Sequence, residues 1–286
     1  MTRRRSPGRI ASSAAVGAVA ALVVALSGTG ASATPAAPAA PVMRVLPVSV
    51  HTNGVGEHTS TSDNWSGYNQ GALEKSTTFT SISARWTVPT ATQHTPGQAE
   101  SSATWIGIGG GCLDTSCTVT DNTLVQAGTE QDVAADGTAS YSAWWEIVPV
   151  PSVTASITVH PGDIISCSIS QTVPEVWDIV LSDVTDGQSF TQTVPYPSSY
   201  LTAEWILETP VVVGTSGTGI SALPDLTTTR FSDATVNGAN ADLVGAEGLQ
   251  LVSSSGAVLA TPSAPDTAAD GFDDCSYATT CAAPAG

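Results

Sequence analysis

Thr202-Ala203-Glu204-Trp205-Ile206-Leu207-Glu208-Thr209-Pro210 decides how this chain folds. The apolar run is only about eight residues long, and Pro210 disfavours helical geometry at Thr209, so the stretch reads as a strand. Alternation then sends Ala203, Trp205 and Leu207 to one face and Glu204, Ile206 and Glu208 to the other. Four residues of strand separate the two acids by roughly 13 Å at about 3.3 Å per residue. That is too far for the carboxylate pair of a retaining glycosidase, about 5 Å, or an inverting one, about 6.5–9.5 Å. If Glu208 carries chemistry, its partner comes from another strand. The plain alternative is a half-exposed strand with both acids in solvent.

The rest of the chain agrees with an all-β reading. Its 286 residues are 41% hydrophobic, enough to bury a full core in one large domain with N-terminal extras. Residues 1–33 have the form of a signal peptide: Arg3, Arg4, Arg5 and Arg9, then an Ala/Val/Leu run from Ala14 to Leu26, then Ala31-Ser32-Ala33 as a small-residue cleavage site. The run falls short of the roughly 20 residues that span a bilayer. The mature protein is therefore expected to be secreted, with no membrane attachment after cleavage. Residues 34–60, rich in Pro, Ala, Thr and Val, read as a linker or short pro-segment, and 61–286 as the folded domain.

Loss of the first four arginines leaves 25 acids against Arg44, Lys75, Arg85 and Arg230, a formal charge of −21. Such a surface repels polyanions, which excludes nucleic acid as a partner. Crowded carboxylates also suit an acidic workplace, where protonation relieves their mutual repulsion.

Five cysteines in a secreted chain allow two bridges. Cys112 with Cys117 and Cys275 with Cys281 close small loops, and Cys167 is left among apolar neighbours as a core residue. Neither a Cys nucleophile with one of the four histidines nor a zinc site has support in the spacing, and no metal or cofactor is expected.

From Asn64 onward, short apolar or alternating runs are punctuated by Gly, Pro, Asp and Ser without a helical period, the pattern of a β-sandwich. Strands are expected at 65–68, 82–88, 103–108, 123–128, 141–147, 156–159, 164–170, 177–183, 189–194, 202–208, 228–231 and 249–252. Most of the seven tryptophans should be core, with a minority lining a groove. Gly107-Ile108-Gly109-Gly110-Gly111 follows a strand, but no amphipathic helix comes after it, so it is a turn and not a phosphate loop.

Six stretches occur in a characteristic order: Asn64-Trp65-Ser66-Gly67, Trp86-Thr87-Val88-Pro89, Trp105-Ile106-Gly107-Ile108, Leu124-Val125-Gln126-Ala127-Gly128, Tyr141-Ser142-Ala143-Trp144-Trp145-Glu146 and Ala203–Glu208. Together, from about Asn64 to Gly271, they resemble the glutamic peptidases, the eqolisin family. The resemblance implies an acid endopeptidase insensitive to pepstatin, acting on polypeptide substrates and built as two packed antiparallel sheets of the concanavalin-A-like kind. It places the catalytic Gln/Glu dyad on Gln126 and Glu208, and substrate-groove roles on Trp105, Glu130, Trp144 and Glu146. Glu204, in the acidic position before the catalytic one, has at most a supporting part. A monomer without cofactor is expected. Gly109, Ser142 and Val148 stand where family members often carry Asp, Asp and Tyr, and Glu130 stands where they carry Asp.

One carboxyl and one amide can supply this chemistry: Glu208 as base toward water and then acid toward the departing nitrogen, Gln126 to orient the water and stabilise the oxyanion. Two rival readings are a secreted lectin-like sandwich that binds glycans, and a glycoside hydrolase using Glu208 with Glu146 or Glu130.

Overall fold

The structure is a computed structural model that describes residues 42–44, 50–51, 60–214 and 217–285. The signal-peptide expectation and most of the linker expectation lie outside these residues. Within 34–60, Val42–Arg44 pairs with Val211–Val213, and Val50–His51 pairs with Thr61–Ser62.

Thirteen strands build the body: β1 Trp65–Gly71, β2 Ser81–Thr87, β3 Glu100–Gly109, β4 Leu124–Val133, β5 Ala139–Ile147, β6 Ile164–Val173, β7 Val176–Asp183, β8 Gln188–Pro195, β9 Thr202–Glu208, β10 Thr229–Val236, β11 Gly248–Val252, β12 Val258–Pro262 and β13 Phe272–Ser276. The stretch that opened the sequence reading is β9, at the centre of an antiparallel sheet ordered β5-β4-β3-β9-β1-β11. A second antiparallel sheet runs β8-β7-β6-β2-β10-β13-β12, and β12 pairs with β11, so the two join along one edge.

The sheets pack face to face through one core. Tyr68, Ile106, Val125, Ala127, Ala203 and Trp205 from the first meet Trp86, Ile165, Cys167, Ile179, Leu181 and Phe231 from the second. Period-two alternation in β9 explains why one strand serves two surfaces: Trp205 enters this core while Ile206 joins a separate cluster on the opposite face. A polar tie crosses the interface where the Trp86 indole N–H donates to Thr129 Oγ1 at 3.0 Å, because a buried indole nitrogen needs an acceptor. The β-sandwich expectation therefore holds. Both expected disulfides are present, and Cys167 is a buried free thiol. Among the described residues no helix is long and apolar enough to cross a membrane.

The strand expectations differ in two ways. Residues 156–159 are not a strand, although Ala155, Ile157 and Val159 are buried in alternation with exposed neighbours. The Thr158 N–H donates to the Gln188 side chain and not to a ladder carbonyl, so the alternation there records burial of one face without strand pairing. Conversely β12, Val258–Pro262, and β13, Phe272–Ser276, lie outside the expected set; the paired aspartates of β13 are poor strand formers.

Candidate active site

On the face of the first sheet that looks away from the second, ladder pairing sets side chains in three rows. The first row is Asn69, Glu204, Gly107, Gln126 and Glu146; the second is Gly67, Ile206, Trp105, Gly128 and Trp144; the third is Trp65, Glu208, Ala103, Glu130 and Ser142. All seven residues singled out from the sequence thus fall on one surface.

The middle row is the floor. Trp105, Trp144 and Ile206 cluster there with Trp65 and Leu124 from either side, and Trp65 and Trp105 meet edge to face at 4.9 Å between ring centroids. Two glycines let the Trp105 indole lie flat. A Cβ on Gly128 would fall 2.5 Å from Trp105 Cβ, and one on Gly107 would fall 2.9 Å from Trp105 Cζ3. The benzo ring therefore rests over Gly107, beside Gln126, while the indole N–H at the other end donates to Glu208 Oε2 at 2.8 Å. One side chain spans the distance between the first row and the third.

Glu208 is fully buried. Asn64 Nδ2 donates to its Oε1 at 3.5 Å, and the Trp65 indole N–H approaches the same carboxyl without reaching full hydrogen-bond geometry. Burial raises its pKa well above the ordinary glutamate value, and the charge of Glu146 adds to this; Trp105, Trp65 and Asn64 pull the other way. Gln126 is equally buried. Its Nε2 donates to Glu146 Oε2 at 2.8 Å, while Oε1 meets no donor among the described residues. No hydrogen bond joins Gln126 to Glu208. The link between them is Glu146, which holds the amide and acts electrostatically on the carboxyl.

Glu204 raises a direct question, because it and not Glu208 shares a row with Gln126. Its surroundings differ. It sits beneath Gly111, where a Cβ would lie 2.5 Å from Glu204 Oε1, in a loop that Asn69 clamps by paired 2.8 Å bonds to the Cys112 backbone. Thr202 and the Gly111 N–H lie near its carboxyl, yet neither oxygen has a partner of hydrogen-bond geometry. Burial raises its pKa well above the usual value, and the neighbouring charge is Asp121, not Glu146. Its carboxyl therefore leans away from the amide.

Glu130 is partly open to solvent at the far end of the third row. Ser142 Oγ donates to it at 3.3 Å, and burial followed by the charge of Asp132 pushes its pKa up to about 8. Trp144 belongs to the floor cluster. One group that could hold a metal ion, His160, Asp163 and Asp186, has ligand atoms within 4.8 Å of one another, but it lies at the ends of β6 and β7 in the other sheet. Asn64 and Trp65 received no role from the sequence. Their signal was the Asn64-Trp65-Ser66-Gly67 stretch, and only the pairing of β1 with β9 shows them turned to Glu208.

The chain is similar to aspergillopepsin-2 of Aspergillus niger, 27% identical over 195 residues that cover 60% of this chain and 64% of that protein, less than two thirds of the relative's length. Its fold is similar to the crystal structure of scytalido-glutamic peptidase with a transition state analog inhibitor, with a TM-score of 0.57 and 21% identity over 75% of this chain and 98% of that one. It is also similar to SCP-B, an eqolisin family member in complex with the tripeptide Ala-Ile-His, with a TM-score of 0.55 and 20% identity over the same shares. The profile of the Peptidase A4 family matches residues 63–269, most of the chain, and with the Trp-lined face and its acids inside that span the chain belongs to the Peptidase A4 family.

Proposed function

We propose that this chain is a secreted endopeptidase that hydrolyses peptide bonds with Glu208 as general base and acid and Gln126 as the neutral partner. The observation that carries the reading is the arrangement of Gln126, Glu146, Trp105 and Glu208, a buried amide and a buried carboxyl held on one apolar floor. Ionised Glu208 takes a proton from water as the water oxygen bonds to the carbonyl carbon. The Gln126 Nε2 has two hydrogens, one engaged by Glu146, and the other donates to the oxyanion that forms. Glu208 then returns its proton to the amide nitrogen as the C–N bond breaks, leaving a carboxylic acid and an amine.

The raised pKa of Glu208 has two consequences. Its ionised form is a stronger base than an ordinary glutamate, and its protonated form persists further up the pH scale for the second half of the reaction. Trp105 and Asn64 limit the rise by donating to the carboxylate. Glu130 and Trp144 complete the surface that meets the polypeptide, and Glu204, buried beneath the Gly111 loop, has a supporting part. Export by the N-terminal 1–33 segment and a linker or pro-segment at 34–60 fit a fold with two disulfides, which form in oxidising compartments.

The test is cleavage of a denatured protein at acidic pH by purified mature enzyme with pepstatin present. Peptide products are expected. An intact substrate, with binding or cleavage of a glycan instead, would overturn the reading in favour of a lectin or a glycoside hydrolase.

A further inference from the structure

Where β4 and β5 separate, beyond Gln126 and Glu146, one rung of the ladder is made through a side chain of the other sheet. Val148 N donates to Leu124 O at 2.9 Å, half of an ordinary antiparallel pair. The reciprocal bond, Leu124 N to Val148 O, is replaced by the hydroxyl of Tyr196, which accepts from Leu124 N at 2.8 Å and donates to Val148 O at 3.0 Å. The inserted oxygen holds the strands one hydroxyl apart, two residues before Gln126 and two after Glu146. On this opened edge Val148 packs against the tryptophan cluster that surrounds Glu208.

Tyr196 is itself anchored from the second sheet. Its N–H donates to Glu175 O at 2.7 Å, and its carbonyl accepts from the Trp177 indole at 3.0 Å. The ring is buried in the intersheet core, so the hydroxyl is carried on a rigid stem. A buried phenol always seeks partners, and Tyr68 shows the ordinary case, donating to Ser263 O at 2.6 Å. Tyr196 differs in occupying a place that the backbone of the two site-bearing strands would fill itself.

We propose that Tyr196 is a positioning residue for the reaction: its hydroxyl, wedged between Leu124 and Val148, sets the spacing of the strands that carry Gln126 and Glu146. The proposal rests on the dyad reading. Removing the hydroxyl lets Leu124 N and Val148 O close on each other or leaves these two groups unpaired, and the Gln126 to Glu146 contact shifts in either case. Misplacement of a reacting group by about 1 Å can cost on the order of a hundredfold in rate.

The experiment compares Tyr196→Phe and the control Tyr68→Phe, each alone and the first also combined with Gln126→Ala. Tyr196→Phe is expected to lower kcat roughly tenfold or more with KM within about twofold, while Tyr68→Phe loses thermal stability and keeps kcat. In the Gln126→Ala background Tyr196→Phe should have no further effect, because both act at one point. Wild-type kcat in Tyr196→Phe, or an undiminished loss on top of Gln126→Ala, overturns the proposal alone. Wild-type kcat in Gln126→Ala overturns the dyad reading and the proposal with it. Should Tyr196→Phe not fold, Trp177→Phe loosens the same anchor while keeping the hydroxyl and should show a smaller loss with the same coupling to Gln126; an uncoupled loss overturns the proposal.

Discussion

The two ends of β9 carry the same residue in the same orientation and differ in almost everything else. Glu204 and Glu208 share a face, are both fully buried, and both have a pKa raised first of all by burial. At the Glu208 end an indole and an amide donate to the carboxyl, and the field of Glu146 reaches it across the floor. At the Glu204 end a glycine loop lies over a carboxyl that has no hydrogen-bond partner, and the charge that reaches it is that of Asp121. Burial makes both acids reluctant to ionise. Donors in full hydrogen-bond geometry favour the ionised form at one of them, and a general base must ionise to act.

The largest effect should come from substituting the anchored acid. Glu208→Gln keeps the shape and removes the proposed proton carrier for both halves of the reaction, so kcat is expected to fall by at least about a thousandfold, beyond the loss of one oxyanion donor. Retention of more than about a tenth of wild-type turnover, roughly 1.4 kcal/mol in the barrier, would move the catalytic role to the other end of the strand. Gln126→Ala comes next, with a loss of about 10²–10³ in kcat, the usual cost of one oxyanion donor. A milder loss than that of Glu204→Gln would break the pairing of Gln126 with Glu208.

Trp105→Phe sharpens the comparison by making the Glu208 end more like the Glu204 end. Without the indole N–H the carboxylate loses its best donor, the pKa rises further, and the acid limb of the pH–rate profile should move to higher pH with roughly a tenfold loss at the acidic end. A profile that moves to lower pH would show that the indole was not supporting the ionised form.

The smallest effect on turnover should come from Glu204→Gln, which is expected to stay within a few-fold of wild type. Its mark is on stability. Glu204, Glu208, Glu130 and Asp274 all have folded pKa values raised chiefly by burial, the last two to about 8. Groups raised in the fold stabilise it fully below their unfolded pKa near 4, and that contribution is lost as pH rises through the folded value. The melting temperature should therefore fall between about pH 4 and pH 8, and Glu204→Gln should make the fall shallower. A melting temperature that climbs over this interval at fixed salt would contradict the assignment. The acid preference expected from crowded surface charge thus has a different main cause, since desolvation ranks first at each of these four groups and charge repulsion comes after it.

How far the sequence could be read follows from the range of the forces involved. The strand at 202–208, the alternation that turns Glu204, Ile206 and Glu208 to one side, the disulfides between near neighbours and the burial of Cys167 are local matters of period, proline sterics and loop size, and all were legible. Residues 156–159 mark the limit, since a local pattern shows which face is buried but not whether another backbone lies alongside. The proposed site residues were read one by one from motifs, whereas their relations are long-range. Ladder register put Glu204 in line with Gln126, and the lie of one indole over two glycines carried the Gln126 neighbourhood across to Glu208. By itself the sequence determined most of the strands, their faces and the identity of the polar groups, because those depend largely on neighbours along the chain. Only the tertiary structure decided which of two like glutamates receives donors and which has none in hydrogen-bond geometry, because a pKa and a hydrogen bond depend on what surrounds a group in space, and Asn64, Trp65 and Trp105 reach Glu208 from segments more than a hundred residues away.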